Sequence, residues 1–481
     1  AGDGVDKTGG IGPQNQDGVG ENRSAFDHSR SIVVVTVRWQ GRVEPGVGGM
    51  GKTGQLKVFA VLSVTMDIKT KQKLAELALK VGLDFQKDQC LQIMTGVGTY
   101  DYAREIAKKA YEMGGRLVRV MLSDNELTKS RAENSTKENL EYFPRDMIES
   151  GKMQLDESWA RIRIDSTEEL NVLKGVDSEA LSTMTRVARS NLKFVSDQLM
   201  RHKHPWLVLA APGPEWARTV YSLADDAPQA EVDAALKKLE EVYISILRLD
   251  KDDPVAVWKE HGRNLASRGK TLDGHKLDRV RFTSPDTDLT VALAPTHTWL
   301  GGPSRLPDGR WYEPNLPTEE VFTTPDFRRT EGHVKVVKPV KVMETMVEGA
   351  WFKFEKGKVV DFGAEKGADI MKKFFAMDEG ASYLGEVALV DVDSPINRSG
   401  LVFGSILFDE NASCHIALGQ GYPSCLTNAD ELAGADDLKE AGCNVSMLHT
   451  DFMISDDKTD VTGYTADGAE VPIIKGGKFV I

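Results

Sequence analysis

A chain of 481 residues, 41% hydrophobic and 28% charged, is too long for one ordinary core and has the composition of a soluble globular protein of two domains. Its net charge of −13 is spread along the chain, which argues against nucleic acid or an anionic lipid surface as a partner. The longest strongly apolar run, Ile32 to Val37, is far too short to cross a bilayer, so no membrane partner is expected.

Residues 1–65 read as an N-terminal extension. The opening stretch is rich in Gly, Asp and Asn, has no hydrophobic period, and is expected to be largely disordered. It lacks a basic region followed by an apolar segment, so a cytoplasmic location is expected. "SIVVVTVRWQ" predicts one strand. "GVGGMGKT", 46–53, then matches the phosphate-loop pattern through Gly46, Gly51, Lys52 and Thr53. A working loop needs a helix behind it, with free N–H groups facing the phosphates. Here "QLKVFAVLSV" reads as a strand. A glycine-rich tail is the expected reading, and nucleotide hydrolysis through Lys52 stands as an alternative function.

Regular structure begins near Met66. "DIKTKQKLAELALKVG" places Leu74, Leu77, Ala78 and Val81 on one helical stripe, with Gly82 as its C-terminal cap. Strand "CLQIMTGV", helix "DYAREIAKKAYEMGG" and strand "RLVRVML" follow. This β-α-β order predicts an α/β domain over 66–270 with a largely parallel sheet. One helix over 178–201, the strand "WLVLAAP", and helices near 214–223, 231–248 and 254–267 complete it. From 271 to 481 the texture becomes β-rich. "DRVRFTSPDTDLTVAL", "HVKVVKPVKV" and "AWFKFEKGKVVDF" predict strands, the last turning at Lys356-Gly357, and "EKGADIMKKFFAM" predicts a helix. The second domain is therefore expected to be α+β.

The four cysteines, Cys90, Cys414, Cys425 and Cys443, show no C-x-x-C spacing and read as reduced thiols, with metal contact left open for Cys414 beside His415. Neither H-E-x-x-H nor G-x-S-x-G occurs. The last third instead gathers oxygen and nitrogen donors. In "SMLHTDFMI", His449 and Asp451 would share one face of a strand, as metal ligands or as a structural pair. "LFDENASCHIALGQGY" carries Asp409, Glu410, His415 and Tyr422 among small residues that permit close approach. "LGEVALVD" sets Glu386 inside an apolar strand, where a carboxylate must be paired or metal-bound. "EPNLPTEEVFTTPD" carries Glu319 and Glu320, either a solvated loop or a strand with one glutamate inward. Oxygen-rich ligands with two histidines suit a pair of divalent ions.

From Met66 to Ile481 the chain resembles the aminopeptidase T family of dinuclear metallopeptidases, which includes aminopeptidase S and PepS. The resemblance is carried by "KLAELALKVGL", "DKDDPVAVWKEH", "TDLTVAL", "HTWLGG", "EPNLPTEEVFTTPD", "GAEKG", "DEGASYLGEVALVD", "SGLVFGSILFDENASCHIALGQGY" and "SMLHTDFMI". It implies metal ligands at Glu320, Glu386, His415, His449 and Asp451, with Glu410 and Tyr422 also at the site. It implies two divalent ions (Zn, Co, Mn or Mg), peptide substrates with a free N-terminus, and a homodimer of two-domain subunits. Catalysis is expected at Glu386, Glu410 and Tyr422. Glu386 and Glu410 are both candidates for the general base. Tyr422 is a donor to the tetrahedral oxygen or a direct contact to a metal. A catalytically silent binding protein on the same fold is the remaining alternative, and the complete residue set argues against it. Residues 1–65 have no counterpart in this resemblance.

Overall fold

The computed structural model describes residues 33–37, 56–60, 66–165, 167–169, 171–343, 345–432 and 434–481. Contacts divide the chain into Ala1–Val64 and Thr65–Ile481. In the first unit, strands Val33–Val37 and Leu56–Ala60 pair antiparallel. The phosphate-loop match at 46–53 and the stretches expected to be disordered lie outside the described residues.

The second unit opens with helix Ile68–Lys80, capped by the Asp67 carboxylate, which accepts the N–H groups of Lys69 and Thr70. Leu74, Leu77 and Ala78 are fully buried, as the periodicity predicts. Gly82 serves differently from expectation. Its backbone is not left-handed; instead a Cβ there would lie 2.5 Å from the Leu207 side chain and 2.6 Å from the Ala78 carbonyl. Close packing, not a left-handed cap, is what needs glycine.

Strands Cys90–Gly96, Leu117–Ser123, Ala160–Ile164 and Trp206–Leu209 form an all-parallel sheet. Its fifth strand, Asn315–Leu316, comes from the C-terminal half and pairs parallel with Trp206–Leu209. The helix expected over 178–201 is two, Ser178–Asn191 and Lys193–Met200. The break at Leu192 brings Val195 against Gly151 of helix Arg145–Asp156. Helix Pro254–His275 runs through position 270 and ends at Lys276 in the left-handed conformation.

The C-terminal half holds two large antiparallel sheets beside two small two-stranded ones, Ser304–Arg305 with Trp311–Tyr312 and Val340–Val342 with Thr345–Val347. The eight-stranded sheet includes the hairpins Leu277–Ser284/Thr287–Leu293 and Trp351–Glu355/Lys358–Gly363. The five-stranded sheet runs His449–Met453, His415–Gly419, Leu384–Val390, Glu320–Thr323, Leu300–Gly301. One core draws Phe282, Val291 and Phe352 from the larger sheet and Val387, Ile416 and Phe452 from the smaller.

The core beneath the parallel sheet also takes Leu316, Ile396, Phe403, Leu407, Phe408 and Ala412. Trp216 ties this segment down. Its Nε1 donates to the Phe403 carbonyl at 2.7 Å, and its ring lies 5.3 Å from that of Phe408. The residues just before His415 are therefore fixed by the first half of the chain.

Candidate metal centre

In an antiparallel pair, residues directly opposite point to the same face. Glu386 lies opposite Ala417, and Ala417 opposite Asp451, so two carboxylates flank one methyl group in a single row. Ala388 lies opposite His415 in the next row, and Val390 opposite Glu320 in the row beyond. His449, two residues before Asp451, shares its face. The alternate positions, Val387, Leu389, Ile416 and Phe452, enter the core. The period of two thus sorts donors from core in the four donor-bearing strands, and the alanines at 388 and 417 fill little of the space above the sheet.

Two donor groups result: Glu320, Glu386 and His415, and Glu386, His449 and Asp451. Within each, the ligand atoms lie within 4.8 Å of one another, and Glu386 is common to both. His415 Nε2 is 3.2 Å from Glu320 Oε2, and His449 Nε2 is 3.3 Å from Glu386 Oε2 and 3.4 Å from Asp451 Oδ1. Tyr422 Oη lies 3.3 Å from His449 Nε2, with its ring edge-on to Phe322. Glu410, in the turn Glu410–Ala412, belongs to neither group.

Both imidazoles are oriented from behind. His449 Nδ1 donates to the Gln420 carbonyl at 2.7 Å and His415 Nδ1 to the Ser413 carbonyl at 3.2 Å. A carbonyl can only accept, so each Nδ1 carries a proton and each ring turns its Nε2 toward the carboxylates, protonated against them without an ion and able, once that proton leaves, to offer a lone pair to a cation.

The electrostatics are strongly perturbed, as at functional sites. Burial pushes the Glu386 carboxyl up to about 7, with the charges of Glu320 and Asp451 adding to it against a hydrogen bond from His449. Burial, then the charges of Asp451 and Glu320, raises Glu410 well above the carboxylate range. Burial lowers His415, but the hydrogen bond and charge of Glu320 outweigh it and the ring ends well above its ordinary value. Burial also lowers His449, and Asp451 and Glu386 together reverse the sign. Burial raises Asp451, yet His449 holds it below its usual range. Tyr422 is raised by burial and then by Glu386.

Cations fit this set. Among the described residues no lysine or arginine pairs with Glu320, Glu386, Glu410 or Asp451; the ion-pair partners are His415 and His449. The buried Asp451 Oδ1 accepts no hydrogen bond. Four buried carboxylates face only these two imidazoles, and each buried charge left unbalanced costs several kcal/mol. Divalent ions would supply both the charge and the missing partner for Asp451.

The adjacent glutamates do not form a solvated loop. Both are buried, Glu320 toward the donors and Glu319 toward Arg248, whose Nη2 is 2.8 Å away. Cys414 turns away from the donors, its thiol donating to the Val390 carbonyl at 3.3 Å, and all four cysteines are buried and free. Several contributors escape a sequence reading. The Gln420 and Ser413 carbonyls are backbone atoms and leave no residue signature. Asn411 resembles any turn asparagine. Gly385 matters by what it lacks: a Cβ there would lie 2.2 Å from the Gln420 carbonyl oxygen that orients His449.

Comparison with known proteins agrees with this site. The sequence profile of the thermophilic metalloprotease family (M29) matches residues 68–479. Aminopeptidase T of Thermus aquaticus is 36% identical over 413 residues, covering 85% of this chain and 98% of its own length. Aminopeptidase 2 of Geobacillus stearothermophilus is 35% identical over 412 residues, with the same coverage of both chains. The solved structure of wild-type AmpT from Thermus thermophilus superposes with a TM-score of 0.78 at 34% identity, covering 86% of this chain and 99% of that one. The chain therefore belongs to the thermophilic metalloprotease family M29 and is a metalloexopeptidase.

Proposed function

We propose that this enzyme is an aminopeptidase that releases the first residue of peptides through a water shared by two divalent ions. The observation that carries the reading is Glu386, the one carboxylate common to both donor groups. Zinc, cobalt, manganese or magnesium bound there would polarise the scissile carbonyl and bring the shared water to a pKa near 7. Glu320 and His415 would hold one ion and His449 and Asp451 the other, with Glu386 available to both.

Glu386, common to both donor groups, would be occupied as a ligand and so would be a poor base. Glu410 lies outside both donor groups, so it is the carboxylate left to take the proton of the attacking water and return it to the leaving amine once ions are bound. Tyr422 donates a hydrogen bond to the developing oxyanion. The relatives' names, aminopeptidase T and aminopeptidase 2, support a substrate with a free N-terminus. The family resemblance supports a homodimer of two-domain subunits, the change of sequence texture supports a division near residue 270, and four unpaired thiols accord with a reducing cytoplasm.

The test is chromophore release from an aminoacyl anilide by metal-stripped protein, re-supplied with each ion in turn. Release is expected only after re-supply, and not from the N-acetylated anilide. Turnover that survives stripping, or equal cleavage of the blocked substrate, would refute the proposal.

A further inference from the structure

Asn411 is fully buried and joins the two carboxylates that the mechanism uses differently. Its Oδ1 accepts the Glu319 N–H at 2.7 Å, one residue from Glu320. Its Nδ2 donates to the Leu407 carbonyl at 3.0 Å and reaches Glu410 Oε1 at 3.4 Å. Its own carbonyl accepts the Ser394 hydroxyl at 2.7 Å. No atom of this amide is spare.

The peptide that Asn411 grips is clamped from its other side. The Glu319 carboxylate pairs with Arg248 Nη2 at 2.8 Å and lies 3.4 Å from His261 Nε2, which also contacts the Thr318 carbonyl at 2.8 Å. Arg248 is held in turn: Nη1 donates to the Ile246 carbonyl at 3.0 Å, and its guanidinium lies 4.5 Å over the Trp258 ring. Arg248 and Trp258 flank and begin the long helix Pro254–His275, so the clamp is rooted in a rigid element.

We infer that Asn411 is a positioning residue, which sets the Glu410 carboxyl at a fixed place relative to the Glu320 strand and so aligns the proton acceptor with the donor cluster. This inference rests on the aminopeptidase reading above. A fixed carboxyl matters because a misplacement of about 1 Å in a reacting group costs on the order of 10²-fold in rate.

Asn411→Asp is the sharpest probe. It has the same shape and keeps the acceptor for Glu319, but replaces the donor facing Leu407 and Glu410 with an oxygen. Steady-state kinetics on the anilide would be read beside metal content and the urea midpoint of the metal-loaded protein. The expected result is a fall in kcat on the order of 10²-fold with KM within about twofold and two ions retained. Should Asn411→Asp not fold, Asn411→Ala, which removes all three side-chain contacts, is expected to show the same split in its folded, metal-loaded fraction. Wild-type kcat in either folded variant overturns the inference, and so does a kcat that falls only in step with lost metal. A wild-type protein inactive with every ion overturns the aminopeptidase reading itself, and this inference with it.

Discussion

Removing the ions should leave a protein whose stability depends on pH with a definite sign. Without cations, burial and neighbouring charges hold Glu386 near 7 against an ordinary 4.5. A carboxyl raised in the folded state binds protons more tightly folded than unfolded. Its contribution is therefore full below 4.5 and is lost as pH rises through 7. Between pH 5.5 and pH 8 Glu386 alone makes a difference of about 2 kcal/mol, from roughly 1.4 kcal/mol per pH unit over the titrating range. Glu410, His415 and His449 are also raised and act in the same direction. Asp451 is lowered, so its contribution is already present at pH 5.5 and stays constant across this window.

Groups remote from the ions, such as Glu240, raised to about 7 by burial, titrate in both forms and cancel in the difference. The quantity to measure is therefore the urea-unfolding free energy of metal-loaded minus chelated protein at each pH. Bound ions displace the site protons, so this gap should widen by at least about 2 kcal/mol from pH 5.5 to pH 8. A gap that is constant, or wider at pH 5.5, would show that burial and neighbouring charges do not raise these carboxyls in the metal-free fold.

The two candidate bases separate by substitution. Glu410→Gln should keep both ions and lose on the order of 10³-fold in kcat, whereas Glu386→Gln should lose ions and turnover together, read by metal analysis beside the anilide assay. Gly385→Ala drives a methyl into the Gln420 carbonyl; it should cost about 1–3 kcal/mol in urea unfolding. By releasing His449 it should also weaken metal binding by on the order of 10–100-fold, measured by competition with a chromogenic chelator. Ala417→Val fills the row between Glu386 and Asp451, and should yield folded protein with depleted metal, whereas full occupancy would refute the stated role of the small side chain.

Much of this was legible in the residues, for physical reasons. Strand alternation puts His449 and Asp451 on one face, so their pairing could be read from spacing two. Glu386 stood out because apolar neighbours leave a carboxylate no water. The parallel sheet followed from the β-α-β order. Other features depend on chain segments meeting from far apart. Nothing in "PTEE" says that Glu319 finds Arg248, seventy-one positions earlier. The role of Gly82 could not be separated from capping, because both uses select glycine. The break at Leu192 has no glycine or proline to announce it, and Val195 just beyond it packs against Gly151, far away in sequence.

The parallel sheet is finished by a strand made late. On the ribosome, Trp206–Leu209 emerges with one margin unpaired, and Asn315–Leu316 arrives roughly a hundred residues afterwards, at synthesis rates a matter of several seconds or more. Phe403 and Phe408, which seal the underside, come later still. A nascent chain halted near residue 275 thus carries a naked strand margin and an unsealed apolar floor, a template for self-association. Truncation there should give inclusion bodies, and the apolar floor stays open until Phe403 and Phe408 have been translated.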